Sequence, residues 1–331
     1  MFIEPILIVA MILTFMLSFW TGFTDAAYAI STVIGTRTLK PIQAVGMATV
    51  ANFVGMSFGT AVAFTIGTGI IAPEIASGEV IIAALVGALI FDVIASWIFS
   101  LPISETHVLV GGLVGAGFAA AGIEAINVFG IFSKVIIPMV MMPPIALILV
   151  FFLTLFILFI FKRFTATVAN KRFRRLQLVS AFCFSMTDGT NDAQKIMGIA
   201  TILLVYYGYL SEFTVPLWVM IASYSTLSLG TFLGGWRIVK TMATKITKLR
   251  PYQGFAAETG SALILGTAAL TGLPVSSTHA AGGAIMGVGL AHRRKAVKWG
   301  TTRGIVAGWI LSFPLAALFA YLTFHLMMFI L

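Results

Sequence analysis

The chain has 331 residues, of which 60% are hydrophobic and only 9% charged, against roughly 25% charged in an ordinary soluble domain. That excludes a water-soluble globular protein and makes the bilayer the solvent to reason in. The single cysteine, Cys183, excludes a disulfide framework or a thiolate metal cluster, since both need partners.

A membrane-spanning helix needs about 20 mainly apolar residues. Hydropathy picks out, in chain order, the stretches 3–33, 42–70, 80–100, 103–123, 130–161, 178–208, 215–236, 252–272, 274–291 and 302–330. The first lacks the basic n-region of a cleaved signal and outruns an apolar h-region, so it is read as a span.

A net charge of +9 would suit a nucleic-acid partner only if the basic residues formed a patch. They do not. Apart from Lys134 and Lys195, they fall in four loops: Arg37 to Lys40, Lys162 to Arg175, Arg237 to Arg250 and Arg293 to Arg303. The positive-inside rule makes those loops cytoplasmic. Threading every stretch as a complete span then puts both termini outside, and the expected location is the cell inner membrane, with no nucleic-acid partner.

Two motifs occur twice. Gly22-Phe23-Thr24-Asp25-Ala26 parallels Gly189-Thr190-Asn191-Asp192-Ala193 at an offset of 167, and Leu101-Pro102-Ile103-Ser104-Glu105-Thr106-His107 parallels Leu273-Pro274-Val275-Ser276-Ser277-Thr278-His279 at an offset of 172, with a Gly-Gly pair after each. Recurrence in the same order indicates a duplicated unit of about five spans. The expected division is a first transmembrane repeat over 1–161, a basic cytoplasmic linker over 162–175 and a second repeat over 176–331. An odd number of spans inverts the second copy, the arrangement common in secondary transporters. The expected fold class is thus an all-α polytopic membrane protein of two inverted-topology repeats.

Asp25, Asp92, Glu105, Asp188, Asp192 and Glu258 lie within or beside apolar stretches, where an ionisable group costs at least about 2.5 kcal/mol and marks a pathway or site. The first and sixth stretches are long and carry Gly, Thr, Asp or Asn well inside, so each is expected to be a broken helix. Such a break presents N–H groups on one side and carbonyls on the other, holding an oxyanion near a cation, with the Asp side chains suited to the cation.

The two Pro-x-Ser-x-Thr-His segments read as helix starts, with Ser and Thr capping free N–H groups or donating hydroxyls to an anion. Ser104, Thr106, Ser276 and Thr278 could merely cap, with His107 and His279 bonding locally. Asn191, Asp192, Gln194 and Lys195 could equally cement helices. A serine-histidine hydrolase is a further alternative, although no nucleophile elbow accompanies the serines.

Gly189-Thr190-Asn191-Asp192-Ala193-Gln194-Lys195 with Met197-Gly198, and Pro274-Val275-Ser276-Ser277-Thr278-His279, resemble the inorganic phosphate transporter (PiT) family. So do Asn170-Lys171-Arg172-Phe173-Arg174-Arg175, Gly234-Gly235-Trp236-Arg237 and Ile285-Met286-Gly287-Val288-Gly289. The resemblance covers essentially the whole chain and implies phosphate import by Na+ or H+ symport through alternating access, with the duplicated acidic motifs and two hairpin-like Ser/Thr-His segments forming the central site, and with no cofactor and no enzymatic activity. By motif it implies phosphate binding at Ser104, Thr106, Thr190, Gln194, Ser276, Ser277 and Thr278. It implies coupling-cation binding at Asp25, Asn191, Asp192 and Glu258, with Na+ at Asp25, Asn191 and Asp192 if coupling is to sodium. Thr24 and Tyr28 depart from the family pattern in the first motif and Glu105 departs in the first hairpin. Expected partners are phosphate, the coupling cation and the lipid bilayer, with a homodimer compatible. A sulfate permease of the same fold and an anion channel are the alternatives.

Overall fold

The computed structural model describes residues 4–99, 101, 103–234, 249–293 and 297–330, and omits the side chains of residues 26–28 and 166. The expectations that involve Pro102, Tyr28, the basic loop 237–248 and Arg294 and Lys295 lie outside this description. Among the described residues the chain is helical, with one isolated bridge, Ile71 to Ile126, in place of any sheet.

The helices follow the apolar stretches. They are α1 (Pro5–Gly35), α2 (Pro41–Val54), α3 (Ala61–Gly69), α4 (Gly78–Asp92), α5 (Glu105–Ala121), α6 (Val128–Ile131), α7 (Ile137–Phe161), α8 (Ala166–Tyr206), α9 (Leu217–Leu233), α10 (Pro251–Thr271), α11 (Ser277–His292) and α12 (Trp299–Ile330). A π-helical segment, Val93–Ile98, extends α4, and another, Phe132–Ile136, joins α6 to α7. Most of the basic linker is already helix, since α8 begins at Ala166.

Polarity is arranged for a lipid solvent. Ile145, Ile148, Phe152, Phe156 and Phe159 form an exposed apolar stripe at helical spacing on α7, whereas α8 is buried on all sides from Thr187 to Leu204. Polar side chains are thus enclosed and apolar ones face out. Among the described residues five helical segments are long and apolar enough to cross a bilayer, and the bent pair α2–α3, taken as one span, makes a sixth.

Two expectations are corrected here. The first and sixth stretches are not broken: α1 runs unbroken for 31 residues and α8 for 41. The glycines of their motifs serve close packing instead. A Cβ on Gly22 would stand 2.0 Å from the Leu227 carbonyl oxygen of α9, and one on Gly189 would stand 2.8 Å from Asn52 of α2. The interruption lies in the second stretch, where α2 and α3 meet at 77° around Gly55 and around Gly59 with φ of 91°, a backbone region that favours glycine.

The second correction concerns the expected ten complete spans. Alternate threading would put the 99–104 turn and the 272–276 turn on opposite faces. Instead α4–α5 and α10–α11 are hairpins whose tips touch: the Thr106 hydroxyl donates to the Val275 carbonyl at 3.0 Å. The outer ends of the first hairpin share one side, where Ala72 N–H donates to Ala125 O at 3.0 Å and Asn127 N–H to Ile70 O at 3.0 Å. Each hairpin packs on the last helix of the opposite half, α4 and α5 on α12, and α10 and α11 on α7.

Candidate functional site

The hairpin tips meet beside the middle of α1 and α8. Ser104 and Ser276 cap α5 and α11, accepting from the main-chain N–H of His107 and His279 at 3.3 and 3.5 Å. Capping satisfies only part of the first turn, so N–H groups of both helix starts remain outside the helical bonding pattern. Two positive helix ends are thereby brought to one place. The Ser276 and Thr278 hydroxyls lie 2.7 Å apart. Behind the tips the His107 and His279 rings pack tilted at 45° with centroids 4.7 Å apart, His279 packs on Trp309 of α12 at 4.1 Å, and His107 Nδ1 lies 3.1 Å from the Trp309 carbonyl. The histidines join the hairpins to each other and to α12, a longer-range role than local bonding.

Asp25 is 3% exposed. Its Oδ2 accepts from the Ser277 hydroxyl at 3.3 Å, and that hydroxyl also faces Asp188. Asp188 and Asp192 both act electrostatically on Asp25. Asn191 reaches toward the second tip, its amide 3.5 Å from the Leu273 carbonyl. Asp25 Oδ1, Asp188 Oδ1 and Asn191 Oδ1 are buried oxygens that no donor satisfies. Buried polar atoms are normally paired with protein, water or an ion, and an all-oxygen set of this kind suits a hard cation. The carboxylates alone do not make a three-acid metal cluster among the described residues, so amide, hydroxyl or main-chain oxygens must complete such a set.

Asp192 is arranged differently. Its Oδ1 is 2.7 Å from Lys195 Nζ, and the same ammonium donates to the Thr106 hydroxyl at 2.6 Å. Lys195 is buried, with 4% of its side chain exposed. A small cavity beside the pair is lined by Thr21, Glu105, Asp192 and Lys195. Glu105 accepts from the Thr24 hydroxyl at 2.8 Å and its side chain faces that of Asp92, which in turn accepts from Ser96 at 2.7 Å.

The structure therefore brings together Ser104, Thr106, Ser276, Ser277, Thr278, Asp25, Asn191 and Asp192. Three expected site residues stand elsewhere. Thr190 donates to the Gly55 carbonyl at 3.0 Å, and the Gln194 carbonyl accepts from Val62 N–H at 2.8 Å. Both fasten the α2–α3 bend. Glu258 accepts from Gln177 at 2.9 Å and Ser180 at 2.5 Å and stands beside Thr32, which lies about 10 Å along α1 from Asp25 at 1.5 Å per residue. Lys195, Asp188 and Asp92 are the additions. Their charge inside apolar stretches was the available signal, but no repeated motif drew attention to Asp188 or Asp92.

The geometry has close parallels. The phosphate transporter family model matches residues 21–320. A probable low-affinity inorganic phosphate transporter of Rhizobium meliloti is 46% identical, covering 97% of this chain and 96% of its own. One of the same description from Bacillus subtilis is 41% identical, covering 95% and 94%. A solved sodium-dependent phosphate transporter has the same fold, with a TM-score of 0.88 at 24% identity, covering 99% of this chain and 100% of its own. The named relatives are transporters, not enzymes. The family model over residues 21–320 and relatives 46% and 41% identical over nearly their full length place this multi-pass membrane chain in the phosphate transporter family.

Proposed function

We propose that the chain is a secondary transporter that imports inorganic phosphate by symport with Na+ or H+, its two halves inverted relative to each other and alternating access around the meeting point of the hairpins. One observation carries this most: two capped helix starts from different halves converge on the same spot as Asp25 and Asp192. An oxyanion is attracted to the helix starts and the Ser and Thr hydroxyls. A cation is attracted to the unsatisfied oxygens of Asp25, Asp188 and Asn191. Each ion lowers the cost of bringing the other into a low-dielectric interior, and this mutual dependence is the coupling.

The crossed packing of each hairpin on the opposite half's last helix supports the inverted relation, since a pseudo-twofold axis generates such reciprocal pairs. The positive-inside placement of the basic loops supports a cytoplasmic linker and outward termini in the cell inner membrane. Sulfate is the second reading, because a tetrahedral oxyanion of either kind meets the same hydroxyls and helix ends.

The test is labelled-phosphate uptake into proteoliposomes under Na+ and pH gradients imposed one at a time. Concentrative uptake driven by at least one gradient is expected, with little competition from sulfate. Accumulation that persists after both gradients are collapsed refutes symport, and equal competition by sulfate refutes the choice of anion.

A further inference from the structure

The two acidic positions are repeat equivalents, yet only one of them carries its own counter-ion. At the offset of 167, Asp192 corresponds to Asp25, Asp188 to Thr21, Asn191 to Thr24 and Lys195 to Tyr28, and at the offset of 172, Ser277 corresponds to Glu105. Around Asp25, which also feels the charges of Asp192 and Lys195, the second carboxylate of its own comes from helix α8, as Asp188, and the hairpin offers the Ser277 hydroxyl. Around Asp192 the trade is reversed, because helix α1 offers the Thr21 hydroxyl and the hairpin supplies the second carboxylate, Glu105. Each position thus has two carboxyl groups and a hydroxyl.

The difference is the cation. At Asp25 three oxygens, Asp25 Oδ1, Asp188 Oδ1 and Asn191 Oδ1, have no donor. At Asp192 the Lys195 ammonium sits 2.7 Å from Oδ1 and 2.6 Å from the Thr106 hydroxyl, leaving one of its three N–H donors for the cavity that Glu105 also lines. An ammonium within hydrogen-bond reach of a carboxylate and a hydroxyl fills the place that a small monovalent cation takes among oxygen ligands. It also accounts for the charge of Glu105, which a tip shared with an anion would otherwise repel.

We propose that Lys195 is a built-in cation at the repeat equivalent of the Asp25 cation position, so that each transport cycle binds one dissociable cation fewer than two vacant positions would require. This rests on the symport reading above. It makes Lys195 a determinant of coupling stoichiometry, distinct from a phosphate ligand or a structural lysine.

Lys195→Asn, which keeps a polar side chain and removes the charge, tests it in proteoliposomes. The Hill coefficient for the driving cation, Na+ or H+ in separate experiments, is expected to rise by about one, and the charge moved per phosphate, from the reversal potential, is expected to rise with it. An unchanged Hill coefficient with a higher KM for phosphate alone makes Lys195 a phosphate ligand and overturns the proposal; unchanged values of both make it structural and do the same. Should Lys195→Asn not transport, recovery of cation-dependent phosphate binding in detergent with added methylammonium, or in the Lys195→Asn/Glu105→Gln double variant, supports the proposal, and recovery with neither refutes it. Wild-type uptake that ignores both gradients refutes symport itself, whatever the lysine variant does.

Discussion

The two hairpin tips have the same backbone plan and different chemistry. Ser104 and Ser276 cap equivalent helix starts, and His107 and His279 pack against each other. One residue further into each tip, Glu105 stands against Ser277. The acid gained by the first hairpin is matched by hydroxyls on α1, Thr21 and Thr24, where α8 has Asp188 and Asn191. The lesson is that a departure in one motif has to be weighed with the residue it faces, because a carboxyl group can move from helix to hairpin without changing the total charge of the site.

The comparison breaks most sharply at Asp25. Asp25→Asn removes the charge from the side without a lysine, and losing a hydrogen-bonded charged ligand costs about 1.5 to 3 kcal/mol. Apparent cation affinity should fall roughly 10- to 100-fold, measured by the cation dependence of phosphate uptake. The melting temperature in detergent should hold, because the buried charge was itself unfavourable there.

Packing between the halves gives the next largest effect. Gly22→Ala forces a methyl group into the Leu227 carbonyl and should cost about 1 to 3 kcal/mol, read as a lower melting temperature in detergent. Gly46→Ala, on α2 with nothing within 4 Å of its Cβ position, should be neutral or stabilising by up to about 1 kcal/mol. An equal loss in both variants would rule out close packing as the reason for Gly22.

The tips themselves separate at their serines. Ser104→Ala removes a cap and a tip hydroxyl and should lower stability by about 1 kcal/mol and weaken phosphate binding, with a smaller effect on the cation dependence than the change at Ser277. Ser277→Ala removes the donor to Asp25 and should shift the cation requirement about 2- to 10-fold, the value of one hydrogen bond. Glu258→Gln should do least, with uptake within about threefold of wild type. Gln177 and Ser180 can re-pair with an amide, and Glu258 lies two turns of α1 from Asp25.

Much of this was legible in the sequence. Apolar stretches gave the helices to within a few residues, except that α8 begins well inside the basic linker, and the duplicated Pro-x-Ser-x-Thr-His gave both capped tips. The place of the helix break was not legible, because a glycine in a polar motif looks the same whether it interrupts a helix or lets another helix approach. At Gly22 and Gly189 approach won, while the break fell at Gly55 to Gly59, where Thr190, Gln194 and Tyr224 hold the bend. This is why Thr190 and Gln194, adjacent in sequence to Asn191 and Asp192, point away from the tips: on a continuous helix neighbouring residues face different directions. Hydropathy alone hid the hairpins, which only the family resemblance implied. A helix that enters and returns has the same hydropathy as one that crosses, and only the contact of the two tips distinguishes them. One further signal was available, the prolines within α7 (Pro143 and Pro144) and α12 (Pro314), which stand at nearly the repeat offset.

The crossed seating of the hairpins bears on how such a molecule can be made. A single half would have a hairpin with no backing helix and a final helix with no hairpin to support, so its small-residue faces would stand open to lipid. Neither product of a gene cut at the linker would then be a finished object, and each would depend on the other being present in the same membrane.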